Sequence, residues 1–206
     1  MTTQQISYYA NLASFGVVIL VWVAFALTLL LRKKPVSAPD AKRAPISWLG
    51  IALQGVSYGI VWGVRRTPFA SPVIDGRFAL NVALQIISAA LAVSSIWLAT
   101  SAIRELGRQW SLQARLIEGH KLVTSGVYRT VRHPIYTAML GMLFATGVAF
   151  SHWIGLAGAL IVFLIGTKIR TNLEEDLLRD AFGQEFEEWK AKVPALFPFT
   201  IPRVSE

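Results

Sequence analysis

Residues 120 to 136 read His120-Lys121-Leu122-Val123-Thr124-Ser125-Gly126-Val127-Tyr128-Arg129-Thr130-Val131-Arg132-His133-Pro134-Ile135-Tyr136. Two imidazoles, two phenols, a lysine and two arginines are thus gathered immediately before an apolar stretch. Arg132 and His133 precede Pro134, a residue suited to the first turn of a helix, where a missing N–H costs nothing. A cation and an imidazole at a helix N-terminus favour an anion, such as a carboxylate or phosphate. A second polar group, Arg170 with Glu174, Glu175 and Asp176, follows the apolar stretch. Arg170 and Glu174 are four residues apart and share one helical face. Glu175 and Asp176 add more carboxylate than one arginine requires, which suits a cationic ligand.

Several other chemistries are excluded. The chain has no cysteine, so it has no disulfide framework, thiolate zinc site or cysteine nucleophile. It contains no GxGxxG, GxxxxGK[ST] or HExxH pattern. His120 and His133 lie among basic residues, which opposes a metal, and no metal site is expected.

The elements that must position these groups are membrane helices. Only 16% of the 206 residues are charged, against about 25% in soluble domains, and mean hydropathy is +0.50. The stretches 12–31, 46–64 and 78–103 carry no charge, and 134–167 carries none beyond His152. About 20 apolar residues cross a bilayer as a helix. The first three stretches therefore read as single crossings. The fourth is too long for one, and Ser151-His152-Trp153 in its middle reads as the turn of a tight hairpin. The expectation is an all-α integral membrane protein with five transmembrane helices. It would be a single domain over 1–206, with three N-terminal helices in 1–103 and both polar clusters in the half 104–206. The uncharged start, Met1 to Ala10, argues against a cleaved signal peptide.

Of 20 lysines and arginines, 17 fall on one side of such a bundle; Arg65, Arg66 and Arg77 fall on the other. The positive-inside rule then places the N-terminus outside and the C-terminus in the cytoplasm. Membrane lipids, not nucleic acid, are the expected anionic partner, and a bacterial inner membrane suits this asymmetry.

Helix 1 reads as Tyr9 to Leu31, stopped by Arg32-Lys33-Lys34-Pro35, with Pro39 and Pro45 in an extended loop. Helix 2 carries Gly55, Gly59 and Gly63 on one ridge, fit for close packing in the chain or in a homodimer. Pro68, Pro72 and Asp75-Gly76 mark an outer loop. Asn81, Gln85, Ser88 and Ser95 on helix 3 should bridge to neighbouring helices. The last membrane helix is expected to continue through Asp180 to a stop at Gly183. A short polar helix follows over 184–192, then a tail with Pro194, Pro198 and Pro202.

Taken together, Gln113, His120-Lys121-Leu122-Val123, Gly126-Val127-Tyr128, Arg132-His133-Pro134-x-Tyr136, Arg170-x-x-x-Glu174-Glu175 and Phe182-Gly183-x-Glu185 resemble the isoprenylcysteine carboxyl methyltransferase family. Relatives of that family occur among the membrane phospholipid N-methyltransferases. The resemblance covers about 104–195 and rests on the spacing of all the blocks. It implies S-adenosyl-L-methionine as cofactor, in a cytoplasmic pocket. Gln113, His120, Lys121, Leu122, Val123, Tyr128, His133, Pro134, Tyr136 and Glu174 match the family's cofactor-contact positions. Arg170 matches a residue near the substrate's carboxylate, and Arg170 and Glu174 are the catalytic candidates. The acceptor would be lipophilic, a small molecule or a prenylated protein. One departure is Ala138, preceded by Thr137, where the family has glycine. Two other readings stay open: a lipid-amine N-methyltransferase, and a lipid-binding membrane scaffold.

Overall fold

The computed structural model describes residues 1–31, 39–67, 70–71 and 77–198. The expected stop at Arg32-Lys33-Lys34-Pro35, the turn residues Pro68, Pro72, Asp75 and Gly76, and Pro202 lie outside them. In chain order the elements are α1 (Thr3–Leu30), β1 (Asp40–Arg43), α2 (Ser47–Gly63), α3 (Phe78–Leu106), β2 (Arg115–Ile117), α4 (Pro134–Phe150), α5 (Trp153–Phe182) and α6 (Gln184–Lys192). Short 3-10 turns occupy Gly107–Gln109 and Gly126–Arg129.

Helix α1 begins earlier than the apolar pattern suggests, because a capping box precedes it. The Thr2 hydroxyl accepts from Gln5 N–H, and the Gln5 side chain accepts from Thr2 N–H. Helix α5 ends where Gly183 adopts φ +52°, a left-handed backbone that glycine tolerates best. The described fold is mostly helical. Three of its helices, at Thr3–Thr28, Phe78–Gln109 and Trp153–Phe182, are long and apolar enough to cross a membrane. Helices α2 and α4 have 17 residues each.

The chain forms two compact units with interleaved segments. The first takes Met1–Arg32, Gln54–Trp97 and Ala138–Leu164. Its interior combines apolar side chains such as Val18, Leu143 and Phe163 with many small or polar ones. Ala92, Ala145 and Ala159 are fully buried, and so are Ser88 and Thr146, while Asn11, Asn81 and Gln85 are nearly so. Large apolar residues face outward: Leu20 is 68% exposed, Ile86 64% and Ile154 75%. Buried polar groups inside and large apolar side chains outside suit a lipid solvent, in which helices associate through small residues and interhelical hydrogen bonds. Such bonds are present. Asn81 donates to the Ser7 hydroxyl (3.1 Å), Ser88 to the Ala145 carbonyl (2.9 Å), Trp22 to the Thr146 hydroxyl (3.1 Å) and Tyr58 to the Met139 carbonyl (2.7 Å). Ser151 and His152 alone separate α4 from α5. A Cβ on Gly147 would collide with Leu156, and one on Gly155 with Val64.

Among the described residues the glycine ridge is not used for packing within the chain. A Cβ on Gly55, Gly59 or Gly63 would meet nothing within 4 Å, so these glycines make no close helix approach among the described residues. Gly50, one turn earlier on α2, makes one instead.

The second unit takes Lys33–Leu53, Leu98–Thr137 and Ile165–Glu206. It contains two strands where the sequence suggests only loop. Antiparallel β1 and β2 pair Lys42 with Leu116 and Arg43 with Arg115. Asp40 accepts from Arg43 and from Arg115 Nη1 (2.7 Å). Ala44 N–H donates to the Ala114 carbonyl (3.0 Å). Ala114, Leu116 and Leu177 form a small core beneath this ribbon.

Candidate active site

The site groups converge within the second unit, from the start of α4, the last turns of α5 and the loops before them. The 3-10 turn at Gly126–Arg129 starts from Gly126 at φ +56° and buries Tyr128 to 6% exposure. A Cβ on Gly126 would also strike the Glu105 side chain. Helix α4 then opens at Pro134, with His133 immediately before it and Tyr136 inside the first turn.

Glu174 is the hub. The Tyr136 hydroxyl donates to its Oε1. His133 Nδ1 lies 3.5 Å from its Oε2, and Arg170 Nη2 lies 3.7 Å from Oε1. The Arg170 guanidinium carbon sits 4.9 Å from the Tyr136 ring centre, a cation–π contact. Arg170 Nη2 also donates to the Leu112 carbonyl (2.5 Å). Burial, and then the charges of Glu174 and Glu105, push the Tyr128 phenol well above its ordinary pKa. Tyr128 therefore stays neutral close to Glu174.

Glu175 faces a different set. It accepts from Arg132 Nη2 (2.8 Å) and Nε (3.1 Å), from His133 Nε2 (3.1 Å) and from Lys190 Nζ (2.8 Å). Asp176 pairs with Arg179 (2.6 Å). The surplus carboxylate expected at 175 and 176 is thus consumed by the protein's own cations. Glu174, with a side chain 27% exposed against 12% for Glu175, is the more accessible of the two glutamates.

Both His133 ring nitrogens face carboxylates. Burial alone would lower its pKa, but the hydrogen bonds and charges of Glu174 and Glu175 outweigh burial and raise it. His133 is then an imidazolium donating to both glutamates. The anion site expected at this helix start is also filled from within. Arg132 N–H donates to the Pro194 carbonyl (2.8 Å) and His133 N–H to the Ala195 carbonyl (3.0 Å). The Arg132 side chain reaches the Lys190 carbonyl (3.1 Å) and the Val193 carbonyl, and the Thr137 hydroxyl donates to the Leu196 carbonyl (2.7 Å). The chain after α6 therefore straps the α4 start, and His133 serves to hold Glu174.

His120 stands apart, with its ring 6.2 Å from Phe182. Its Nδ1 is buried without a hydrogen-bond partner, and burial lowers its pKa, so the ring is neutral near pH 7. The side chains of Gln113, Lys121, Leu122 and Val123 make no hydrogen bond or ion pair to the Glu174 cluster among the described residues. Lys121 is fixed through its backbone N–H, which donates to Gln109 Oε1 (2.5 Å). No metal-binding group of His, Asp and Glu occurs among the described residues. Sequence reasoning missed Leu112, Gly50, Lys190 and the 193–196 strap. Their roles come from contacts between distant segments, which no local pattern signals.

Comparison with known proteins bears on the same region. Residues 84–185 match the family model named phospholipid methyltransferase. Protein-S-isoprenylcysteine O-methyltransferase B of Arabidopsis thaliana is 35% identical over 102 residues, covering 48% of this chain and 51% of that protein. The Homo sapiens protein-S-isoprenylcysteine O-methyltransferase is 41% identical over 81 residues, or 39% of this chain and 28% of that protein. The Schizosaccharomyces pombe protein of that name is 29% identical over 105 residues, or 50% and 44%. The chain thus spans about half the length, or less, of the curated relatives it matches. The part of the chain that carries the Glu174 cluster is thus similar both to the phospholipid methyltransferase family model and to proteins named protein-S-isoprenylcysteine O-methyltransferase.

Proposed function

We propose that the protein is an integral-membrane methyltransferase that uses S-adenosyl-L-methionine and acts on a lipophilic acceptor bearing a carboxylate. The observation that carries this reading is Glu174, a partly accessible carboxylate framed by Tyr128, Tyr136 and Arg170. In this reading the chain crosses the membrane five times, with the N-terminus outside and the site at the cytoplasmic face. At 1.5 Å per residue, the 17 residues of α2 and of α4 each extend about 25 Å. That is near the ~30 Å of a hydrocarbon core.

The residues present fit the cofactor. Its ammonium and sulfonium are cations, which suit the Glu174 carboxylate and the aromatic faces of Tyr128 and Tyr136. The buried, unpartnered Nδ1 of neutral His120 offers a hydrogen-bonding position for its polar parts. When bound, the cofactor supplies an electrophilic methyl group on a sulfur that leaves as a neutral thioether. The protein then needs no strong acid and no metal. Its work is alignment and exclusion of water. Arg170, fixed by Leu112 and Tyr136, orients the acceptor carboxylate through its planar donors. His133 and Tyr136 hold Glu174 in place.

A second reading, methylation of a lipid amine, draws on the name of the matching family model and on neutral His120, which could accept the proton an amine must lose. Arg170 separates the two. With a lipophilic carboxylate as acceptor, Arg170→Ala should lower kcat/KM about 10- to 150-fold, the loss of a charge-assisted contact of roughly 1.5–3 kcal/mol. Rates that are unchanged with carboxylates, or detectable only with amines, would overturn the carboxylate reading.

A further inference from the structure

Gly50 is buried near the start of α2, within the same unit as Arg170. A Cβ built on it would lie 2.8 Å from the Gly166 carbonyl oxygen and 3.2 Å from Arg170 Cδ, and closer still to Arg170 Cγ. Real Cβ atoms essentially never approach within 3.0 Å of another heavy atom in this way. The missing side chain at Gly50 is therefore the space through which the aliphatic stem of Arg170 passes. Beyond that gap the guanidinium reaches the Leu112 carbonyl and the Tyr136 ring. On the same helix a methyl at Gly55, Gly59 or Gly63 would have nothing within 4 Å, so the requirement belongs to position 50 and not to α2 in general.

We infer that Gly50 is a positioning residue for Arg170: by lacking a side chain it sets where the guanidinium stands, and so how the acceptor's carboxylate is oriented. The inference rests on the proposed role of Arg170 toward the acceptor. A methyl at position 50 meets the Arg170 stem most closely and the Gly166 carbonyl oxygen next, whereas Glu174, Tyr128 and Tyr136 are not among the atoms it strikes, so the guanidinium is the group displaced most.

The test compares wild type, Gly50→Ala, Gly55→Ala, Arg170→Ala and the Gly50→Ala/Arg170→Ala double variant, each purified in detergent at full length. S-adenosylhomocysteine binding by calorimetry, transfer to a lipophilic carboxylate and thermal melting are measured. Gly50→Ala should bind S-adenosylhomocysteine within about threefold of wild type, yet raise the acceptor KM tenfold or more. The double variant should be no slower than Arg170→Ala alone, and Gly55→Ala should match wild type. An acceptor KM unchanged by Gly50→Ala, or an equal further loss in the Arg170→Ala background, overturns the inference. If Gly50→Ala does not fold, the double variant decides: recovery of folding supports the close approach, and no recovery overturns it. If wild type neither binds S-adenosylhomocysteine nor transfers methyl, the functional reading itself has failed. Melting then still tests the contact, since the Gly50→Ala penalty must shrink when the Arg170 stem is removed, and an equal penalty in both backgrounds overturns it.

Discussion

Replacing Glu175 with glutamine should destabilise the protein sharply although it leaves shape almost unchanged. Glu175 accepts from Arg132, His133 and Lys190 at 2.8–3.1 Å. Its side chain is 12% exposed, that of Arg132 8% and that of His133 6%. Removing one member of so buried a set leaves uncompensated charge, at a cost of about 3–5 kcal/mol. Glutamine keeps one acceptor oxygen, and Arg132 keeps the carbonyls of Lys190 and Val193, so the lower end, about 3 kcal/mol, applies. For a chain of this size each kcal/mol moves Tm by about 2–4 °C, giving a drop of about 6–12 °C in a detergent melt. The control is Asp180→Asn. The Lys42–Asp180 pair is shorter, at 2.6 Å, but its side chains are 54% and 58% exposed. Such a pair contributes at most about 1 kcal/mol, so its loss should shift Tm little. Glu175→Gln melting with wild type, or Asp180→Asn falling as far, would refute the reasoning that burial and not distance sets the strength of these pairs.

Other outcomes follow from the same geometry. Arg66 donates to the carbonyls of Val148, Ala149, Ser151 and Ala70 at 2.6–3.0 Å, closing the C-terminal end of α4. Arg66→Met should cost about 2–3 kcal/mol through unsatisfied acceptors, measured by melting, and Arg66→Lys should not restore it because one ammonium cannot span four carbonyls. His133 has a native pKa raised above its ordinary 6.5. Its contribution to stability is therefore complete below that value and lost as pH rises through the raised native one. Melting temperature in wild type should fall as pH rises above 6.5 and through the raised native pKa, and His133→Gln should remove that slope.

Much of this architecture is legible in the sequence because it is local. Pro134 marks the start of α4, Gly183 the end of α5, and the four-residue spacing of Arg170 and Glu174 their shared face. Asn81 and Ser88 announce interhelical bonds by being polar in an apolar run. What is not legible depends on segments far apart in the chain. The β1–β2 ribbon joins Asp40 to Arg115, and neither short segment alternates clearly enough to signal a strand. Gly55, Gly59 and Gly63 form the visible pattern, but packing uses Gly50, because a glycine's use depends on what faces it. The roles of His133 and Glu175 differ from expectation for a similar reason. The strap at 193–196 and Lys190 engage their neighbourhood from the far end of α6, so a helix start that reads as an open anion site is filled by the chain itself.

The central claim is that Glu174 is the cofactor-facing carboxylate of a methyltransferase site. The direct measurement is calorimetric titration of the detergent-purified protein with S-adenosylhomocysteine, beside Glu174→Gln. The account predicts saturable binding by wild type and affinity at least about 30-fold weaker in the variant, the loss of a charge-assisted contact of roughly 2 kcal/mol. Equal binding by both proteins, or none by a folded wild type, would contradict it.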